Sequence, residues 1–132
     1  MKELPFKKID AFATNSSAGN PAAAIALSSL DELTASEKLR IAREMKGFVS
    51  EVGFIAAKSS TSFDLSYYSS EREVEFCGHA TIAILYDLLK SDPELNTQRI
   101  LKISTKRGIL SVENRIESED AVFVTAPQMQ VI

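Results

Sequence analysis

The sequence predicts an α+β fold in which a curved, mostly antiparallel sheet wraps around one apolar helix. Segments of alternating apolar and polar residues, typical of half-buried strands, are interrupted by two segments with helical periodicity. One of these helices, at residues 78–90, has hardly any polar face, and such a helix must be enclosed on most sides. In a chain of 132 residues, a single domain with a sheet curved around that helix is the economical enclosure.

The first elements are two strands and an amphipathic helix. Strands are predicted at residues 6–13 and 22–27, on either side of a loop of turn-forming residues. Thr34 and Glu37 have the spacing of a capping box at the start of the helix, and Gly47 is well placed to end it. The apolar face of this helix is predicted to consist of Ala35, Leu39, Ala42 and Met45.

The remaining elements surround the apolar helix, which Asp92 and Pro93 end. The sequence thus predicts about seven strands, with the amphipathic helix outside the sheet and the apolar helix inside it. The later strands are predicted at residues 49–57, 63–67, 73–76, 101–105, 109–114 and 121–124.

Composition argues against several classes of protein. The net charge is −3, basic residues are scattered and tryptophan is absent, which argues against nucleic-acid binding. The first residues lack the apolar stretch of a signal peptide, and no run of about eighteen apolar residues occurs, so a cytoplasmic protein without a membrane span is predicted. One cysteine and one histidine cannot form an internal disulfide or a Cys/His zinc site, so no metal is expected.

Three polar clusters interrupt the apolar elements. The first is Gly19-Asn20-Pro21, which a simple turn would also explain. The second is Ser50-Glu51-Val52-Gly53-Phe54, in which the Glu51 carboxylate lies at the start of an apolar strand. Burial there would raise its pKa toward the range useful for proton transfer, although an exposed strand end is the alternative.

The third cluster, Cys77-Gly78-His79-Ala80-Thr81, lies where a strand turns into the apolar helix. Free N–H groups at a helix start bind carboxylates and lower the pKa of a nearby thiol, and a glycine lets a ligand approach closely. Cys77 and His79 are two residues apart, so within a helix they are not expected to face each other. The alternative is a buried structural cysteine with a capping histidine.

Taken in order, these clusters resemble the signature of the phenazine-biosynthesis (PhzF-like) family, which shares its fold with diaminopimelate epimerase. The resemblance implies two lobes, each a sheet around a central helix, with the active site between them. It also implies an isomerase that moves a proton on a carbon next to a carboxylate, without a cofactor. The matching segments are Asp10-Ala11-Phe12, Gly19-Asn20-Pro21-Ala22-Ala23, Ser50-Glu51 and the run from Glu73 to Thr81.

The resemblance also implies roles for single residues. Glu51 takes the place of the general acid/base, and Cys77 takes that of the catalytic thiol of the epimerases. The substrate side would be lined by His79, which we group with the catalytic residues, and by Asn20, Gly78 and Ala80. We expect Glu51 and the first turn after Cys77 to border one concavity, and we expect Cys77 to be thiolate-prone.

Members of the family are about twice as long as this chain. We therefore expect residues 1–132 to form a single amino-terminal lobe that lacks the second lobe. A homodimer or a second-lobe chain would complete the site for a small carboxylate-bearing substrate. The alternative is a non-catalytic binding or assembly module, a truncated copy that retains an anion pocket. A thiol-dependent redox protein using Cys77 is disfavoured, because there is no resolving cysteine or second histidine.

Overall fold

A computed structural model of the chain shows one curled sheet with helices on both faces. It describes the backbone of residues 6–11, 20–119 and 121–125, and the side chains of residues 22–119 and 121–125. The strands are β1 (Phe6–Ala11), β2 (Asn20–Leu27), β3 (Glu51–Ala57), β4 (Ser62–Tyr68), β5 (Glu73–Val74), β6 (Ile100–Thr105), β7 (Gly108–Arg115) and β8 (Ala121–Val124). The α-helices are α1 (Ala35–Glu44), α2 (Gly78–Ser91) and α3 (Ile116–Glu119), and short 3-10 turns lie at Leu30–Glu32 and Leu95–Thr97.

The strand order in the sheet is β1-β2-β3-β4-β6-β7-β8, and β5 pairs with β4. Neighbouring strands are antiparallel except for β2 with β3 and β4 with β6, which are parallel. A helix connects each parallel pair, α1 the first and α2 the second, as parallel strands require. The predicted α+β fold with a mostly antiparallel sheet is confirmed.

Helix α2 is enclosed by the sheet. It contacts β1 and β8, which lie at opposite ends of the strand order, so the sheet must curl around it. None of residues 78–89 is exposed, and Leu85 and Leu89 are fully buried. Where α2 crosses β3, a Cβ on Gly53 would lie 2.3 Å from Cδ1 of Ile84, so the glycine allows the helix to lie close to the sheet. The prediction of an apolar helix inside a curved sheet is confirmed.

Helix α1 packs on the other face of the sheet, where Val52, Phe54 and Tyr68 form part of a second core. The predicted capping box is present, since Glu37 N–H donates to Thr34 and Thr34 N–H donates to Glu37. The helix ends at Glu44, and Gly47 lies in the following turn with a φ of 86°.

The buried face of α1 differs from the predicted one. Ala42 is buried and Leu39 and Met45 pack at the edge of the core, but Ala35 is exposed. Ala35 is the first residue of the helix and borders an open cleft. One turn later, Lys38 has the buried position. The helix therefore turns a lysine toward the sheet.

Several predicted boundaries are wrong. Asn20 and Pro21 belong to β2 rather than to a loop, because they pair with Ala11 and Asp10 of β1. The strand predicted from residue 49 begins at Glu51, since Val49 forms only an isolated bridge with Lys46. Residues 12–19, which include the end of the first predicted strand and most of the loop, lie outside the described residues.

The strand predicted at residues 73–76 is also shorter, and ends at Val74. Two carboxylates near its end form ion pairs with the β6–β7 turn, Glu73 with Lys106 at 2.9 Å and Glu75 with Arg107 at 3.7 Å. The short helix α3 was not predicted. Among the described residues, no helix has the length and apolar character needed to cross a bilayer.

Candidate active site

The predicted site residues lie at one end of the sheet. Glu51 is the first residue of β3 and pairs in register with Ala22 of the parallel strand β2. Asn20 begins β2 two residues earlier. Glu51 has the same strand parity as Gly53, which lies against α2, so the Glu51 side chain lies on the inner face of the sheet. Helix α2 begins at this same end, after β4 and β5.

The Glu51 carboxyl group is partly withdrawn from water. Its Oε2 atom is buried and has no hydrogen-bond partner among the described residues. Burial raises the pKa of Glu51 above the ordinary value of 4.5, because a charged carboxylate loses hydration. A buried polar atom without a partner is uncommon in folded proteins and needs an explanation.

Cys77 and His79 are in contact, contrary to the expectation from their spacing. The Cys77 Sγ lies 3.3 Å from Nδ1 and 3.6 Å from Nε2 of His79. Cys77 is the N-cap residue of α2 and has an extended backbone, with φ −135° and ψ 108°. Because it lies outside the helix, its side chain can reach across the first turn. Helical spacing does not apply to this pair.

The expectation of a thiolate-prone Cys77 is wrong. Burial raises the pKa of the thiol, and the negative charge of Glu51 raises it further. Hydrogen bonds from the N–H groups of Ala80 and His79 lower the pKa, but they do not outweigh these effects. Burial lowers the pKa of His79, so its imidazole is neutral near neutral pH and does not stabilise a thiolate.

The structure gives different information on the three residues predicted to bind the substrate, Asn20, Gly78 and Ala80. A Cβ on Gly78 would have one neighbour within 4 Å, Cε2 of Phe76 at 3.8 Å, so the space over Gly78 is open among the described residues. The Ala80 methyl group is fully buried in the inner core, which leaves its backbone N–H to act in the site. The Asn20 backbone is described, but its side chain lies outside the described residues.

The sequence did not indicate a role for Tyr67 and Thr81, which hold Cys77 in place. The Thr81 hydroxyl donates to the Cys77 carbonyl at 2.8 Å, and the Thr81 N–H donates to the same oxygen at 3.0 Å. The Tyr67 hydroxyl in turn hydrogen-bonds to the Thr81 hydroxyl, and burial raises the pKa of Tyr67. The four-residue spacing of Cys77 and Thr81 was the signal that could have revealed the first contact.

In the part of the chain that the structure describes, no group of three or more His, Cys, Asp or Glu side chains is arranged to hold a metal ion. The chemistry that this site offers is acid/base chemistry by a carboxyl, a thiol and an imidazole, beside the N–H groups of a helix start.

Nearly the whole chain is similar to proteins of one family. The family model for phenazine biosynthesis-like proteins (PhzC-PhzF) matches residues 9–131. The chain belongs to this family. It is 34% identical over 128 residues to an uncharacterized isomerase, YfhB, of Bacillus subtilis (strain 168), covering 97% of this chain and 42% of the relative. The chain therefore spans about two fifths of the length of that family member.

Solved structures of the family have the same fold. A PhzF-family protein from Enterococcus faecalis matches with a TM-score of 0.72 and 31% identity, over 86% of this chain and 41% of that one. A PhzF-family protein from Bacillus anthracis matches with a TM-score of 0.74 and 28% identity, over 94% of this chain and 40% of that one. These matches support the predicted family and fold.

Proposed function

We propose that this chain is one lobe of a PhzF-like isomerase and that Glu51 moves a proton on a carbon next to the carboxylate of a small substrate. The observation that best supports this is the buried, unpartnered Oε2 of Glu51 beside the start of α2. The printed name of the Bacillus subtilis relative calls that protein an isomerase. The resemblance noted in the sequence supplies the reaction class.

A carboxyl group with a raised pKa suits proton transfer in both directions. General acid/base catalysis is most efficient when the pKa of the catalytic group lies near the working pH. Burial moves the pKa of Glu51 toward that range. The residue is only half-buried, so its carboxyl group can still meet a substrate.

The substrate carboxylate would bind at the first turn of α2. The positive end of the helix dipole favours an anion there, and the open space over Gly78 lets it approach the backbone. Neutral His79 would donate a hydrogen bond to the substrate. The Cys77 thiol, held protonated beside it, would be a second proton donor.

A second lobe would be needed to cover the site and exclude water from it. A carbon acid reacts poorly in open water, because water competes for the hydrogen bonds that stabilise the developing negative charge. The missing surface would be supplied by a second-lobe chain or by a second copy of this chain.

The experiment is deuterium exchange. The chain is incubated in D2O with small carboxylates that have a C–H next to the carboxylate, including amino acids and unsaturated acids, and deuterium uptake is followed by NMR. Exchange that is lost in Glu51→Gln but kept in Glu71→Gln, which changes an exposed carboxylate, would support the proposal. Equal exchange in both variants would contradict the role of Glu51. Binding without exchange in the unmodified chain would instead favour a non-catalytic binding module.

A further inference from the structure

The start of α2 is joined to the sheet by two buried hydroxyl groups, those of Tyr67 and Thr81. Tyr67 lies on β4, and Thr81 lies in α2, four residues after Cys77. Both residues are fully buried, and their hydroxyls are hydrogen-bonded to each other. Because the two residues belong to different elements, this hydrogen bond ties the first turns of the helix to the sheet.

The neighbouring groups determine the direction of this hydrogen bond. The Thr81 hydroxyl has one proton, which it donates to the Cys77 carbonyl at 2.8 Å. The Tyr67 phenol must therefore be the donor to the Thr81 oxygen. Burial raises the pKa of Tyr67 above the ordinary value of 10, so the phenol keeps the proton that it donates. A chain of hydrogen bonds thus runs from Tyr67 through Thr81 to the backbone of Cys77.

Tyr67 also contacts the residue that precedes Cys77. Its ring meets the ring of Phe76 edge to face, with the ring centroids 6.0 Å apart and an angle of 78° between the planes. The Cys77 carbonyl accepts a second hydrogen bond, from the Thr81 N–H at 3.0 Å. An apolar contact before Cys77 and a polar contact after it therefore both depend on one tyrosine.

The same tyrosine lies on the face of the sheet to which Glu51 projects. Tyr67 pairs in register with Gly53, and directly paired residues project to the same face of a sheet. Glu51 lies two residues before Gly53 in β3, so its side chain is on this face as well. The sheet thus contributes Glu51 to the candidate active site, and α2 contributes Cys77. The hydrogen bond between Tyr67 and Thr81 joins these two parts.

We propose that Tyr67 and Thr81 are positioning residues of the candidate active site, whose linked hydroxyls hold the start of α2 in a fixed place relative to Glu51. Neither residue touches the substrate, because both are fully buried. This inference rests on the proposed function, in which Glu51 moves a proton on a substrate held at the start of α2. A displacement of about 1 Å between such groups can slow a reaction about a hundredfold.

The test measures how strongly the Glu51 charge acts on the Cys77 thiol. The rate of Cys77 alkylation by iodoacetamide is followed against pH with and without the change Glu51→Gln, and the difference between the two midpoints is compared among variants. Burial raises the pKa of the thiol and the Glu51 charge raises it further, so Glu51→Gln should lower the midpoint in the otherwise unmodified chain. Because charge interactions weaken with distance, a displaced helix start should reduce this midpoint difference.

Tyr67→Phe keeps the ring and removes the hydroxyl. We expect this variant to reduce the midpoint difference by about half or more. Tyr68→Phe is the matched control, because it removes a hydroxyl from the next residue, which packs in the other core and donates to Glu73. The midpoint difference should be unchanged in this control. If Tyr67 only stabilised the fold, Tyr67→Phe would lower the urea midpoint of unfolding and leave the thiol difference as it was.

Thr81 gives a second measurement. Thr81→Val removes the hydroxyl and should reduce the midpoint difference as Tyr67→Phe does, whereas Thr81→Ser keeps the hydroxyl and should retain the difference. Thr81→Val also leaves the buried Tyr67 phenol without its acceptor, so its urea midpoint should fall further than that of Tyr67→Phe. Should Thr81→Val fail to fold, the comparison of Tyr67→Phe with Thr81→Ser decides.

The proposal is overturned if Tyr67→Phe retains the full midpoint difference, or if the otherwise unmodified chain shows no difference at all. The alkylation measurement requires no turnover, so its outcome is separate from that of the proposed function. A chain that shows no deuterium exchange, but whose midpoint difference is reduced by Tyr67→Phe alone of the two tyrosine variants, would contradict the proposed function and support the positioning of the helix start.

Discussion

At the scale of single residues, the candidate active site favours uncharged side chains. Burial raises the pKa of Glu51 and of Cys77 and lowers that of His79, so each group is shifted toward its neutral form. A thiolate–imidazolium pair is therefore disfavoured, and so is nucleophilic attack by Cys77. Neutral acids beside a helix start suit the exchange of protons with an anionic substrate.

The raised pKa of Glu51 has a consequence for stability. The folded chain holds this proton more tightly than the unfolded chain, so ionisation of Glu51 destabilises the fold as the pH rises above 4.5. Glu51→Gln removes the charge, and we expect it to unfold at higher urea concentration than the unmodified chain near neutral pH. Below pH 4.5 the difference should disappear. An equal effect of Glu71→Gln would show that it arises from net charge instead.

The effect of the Glu51 charge on the Cys77 thiol can be tested with the same variant. Because the Glu51 charge raises the thiol pKa, Glu51→Gln should lower it. The rate of Cys77 alkylation by iodoacetamide, measured against pH, should then reach its midpoint at a lower pH. Cys77 is the only cysteine in the chain, so the reaction reports on one site. An unchanged midpoint would mean that the carboxylate and the thiol lie apart in solution.

A substitution at Gly78 can distinguish a role in substrate binding from a role in the stability of the fold. Since a Cβ there would have open space around it, Gly78→Ala should fold normally and gain up to about 1 kcal/mol of stability from its higher helix propensity. The added methyl group should nevertheless block a carboxylate from the start of α2. We expect the variant to unfold at an equal or higher urea concentration and to lose the deuterium exchange. Loss of stability instead would assign Gly78 a purely structural role.

The sequence revealed part of this site but not its contacts. It marked Glu51 and the start of α2, because polar residues interrupt apolar elements there. It could not show that Cys77 reaches His79, since that contact depends on the extended backbone at the N-cap. The direction of the Cys77 pKa shift was missed for a related reason. Burial and a carboxylate distant in sequence outweigh the local effect of the helix start.

At the scale of elements, the sheet has a helix on each face because of its two parallel connections. Connections between parallel strands are almost always right-handed. Strands β2 and β3 run antiparallel to β4 and β6. In the strand order of the sheet, the connection from β2 to β3 and the connection from β4 to β6 both lead to the next strand in the same direction. The same handedness therefore places α1 and α2 on opposite faces. The alternating pattern predicted the strands, and the missing polar face of α2 predicted its enclosure.

The close approach of α2 to β3 can be tested by a pair of substitutions. In Gly53→Ala the new methyl group would lie 2.3 Å from Cδ1 of Ile84, and overpacking of this kind destabilises a core by about 1–3 kcal/mol. Ile84→Val removes that Cδ1 and alone costs about 0.5–1.5 kcal/mol. In the double variant the valine leaves room for the alanine.

We therefore expect the double variant to be more stable than the sum of the two single changes implies, by about 1 kcal/mol. Urea denaturation of the four proteins measures the difference. Additive losses would mean that β3 and α2 move apart to accept the alanine, so that the glycine is not needed for their packing.

At the scale of the whole molecule, the half of the outer face formed by β6, β7 and β8 shows three exposed apolar side chains. Ile100, Ile109 and Phe123 are 46%, 72% and 45% exposed. Their strand parity is opposite to that of the buried Leu101, Leu110 and Val122, so they share the outer face. Exposed apolar surface of this kind often marks a contact with another protein.

As predicted from its sequence, we expect the chain not to be monomeric in its working form, but to be paired with a second copy or with a second-lobe chain. Twofold symmetry is the commonest symmetry of soluble oligomers. Light scattering at micromolar concentration would measure the mass. A dimer mass for the unmodified chain and a monomer mass for Ile109→Lys would place the interface on this face. A monomer mass for the unmodified chain, with no second-lobe protein encoded nearby, would contradict the prediction.

The alternation of β4 puts two adjacent tyrosines into different cores. Tyr67 is fully buried against α2, and Tyr68 is buried on the α1 side. With fluorotyrosine in place of tyrosine, each core would have its own fluorine resonance, and Tyr86 is the only other tyrosine in the chain. If both resonances vanish at one urea concentration, the two cores melt as a single cooperative unit. If the Tyr68 resonance vanishes first, α1 detaches while α2 is still enclosed by the sheet.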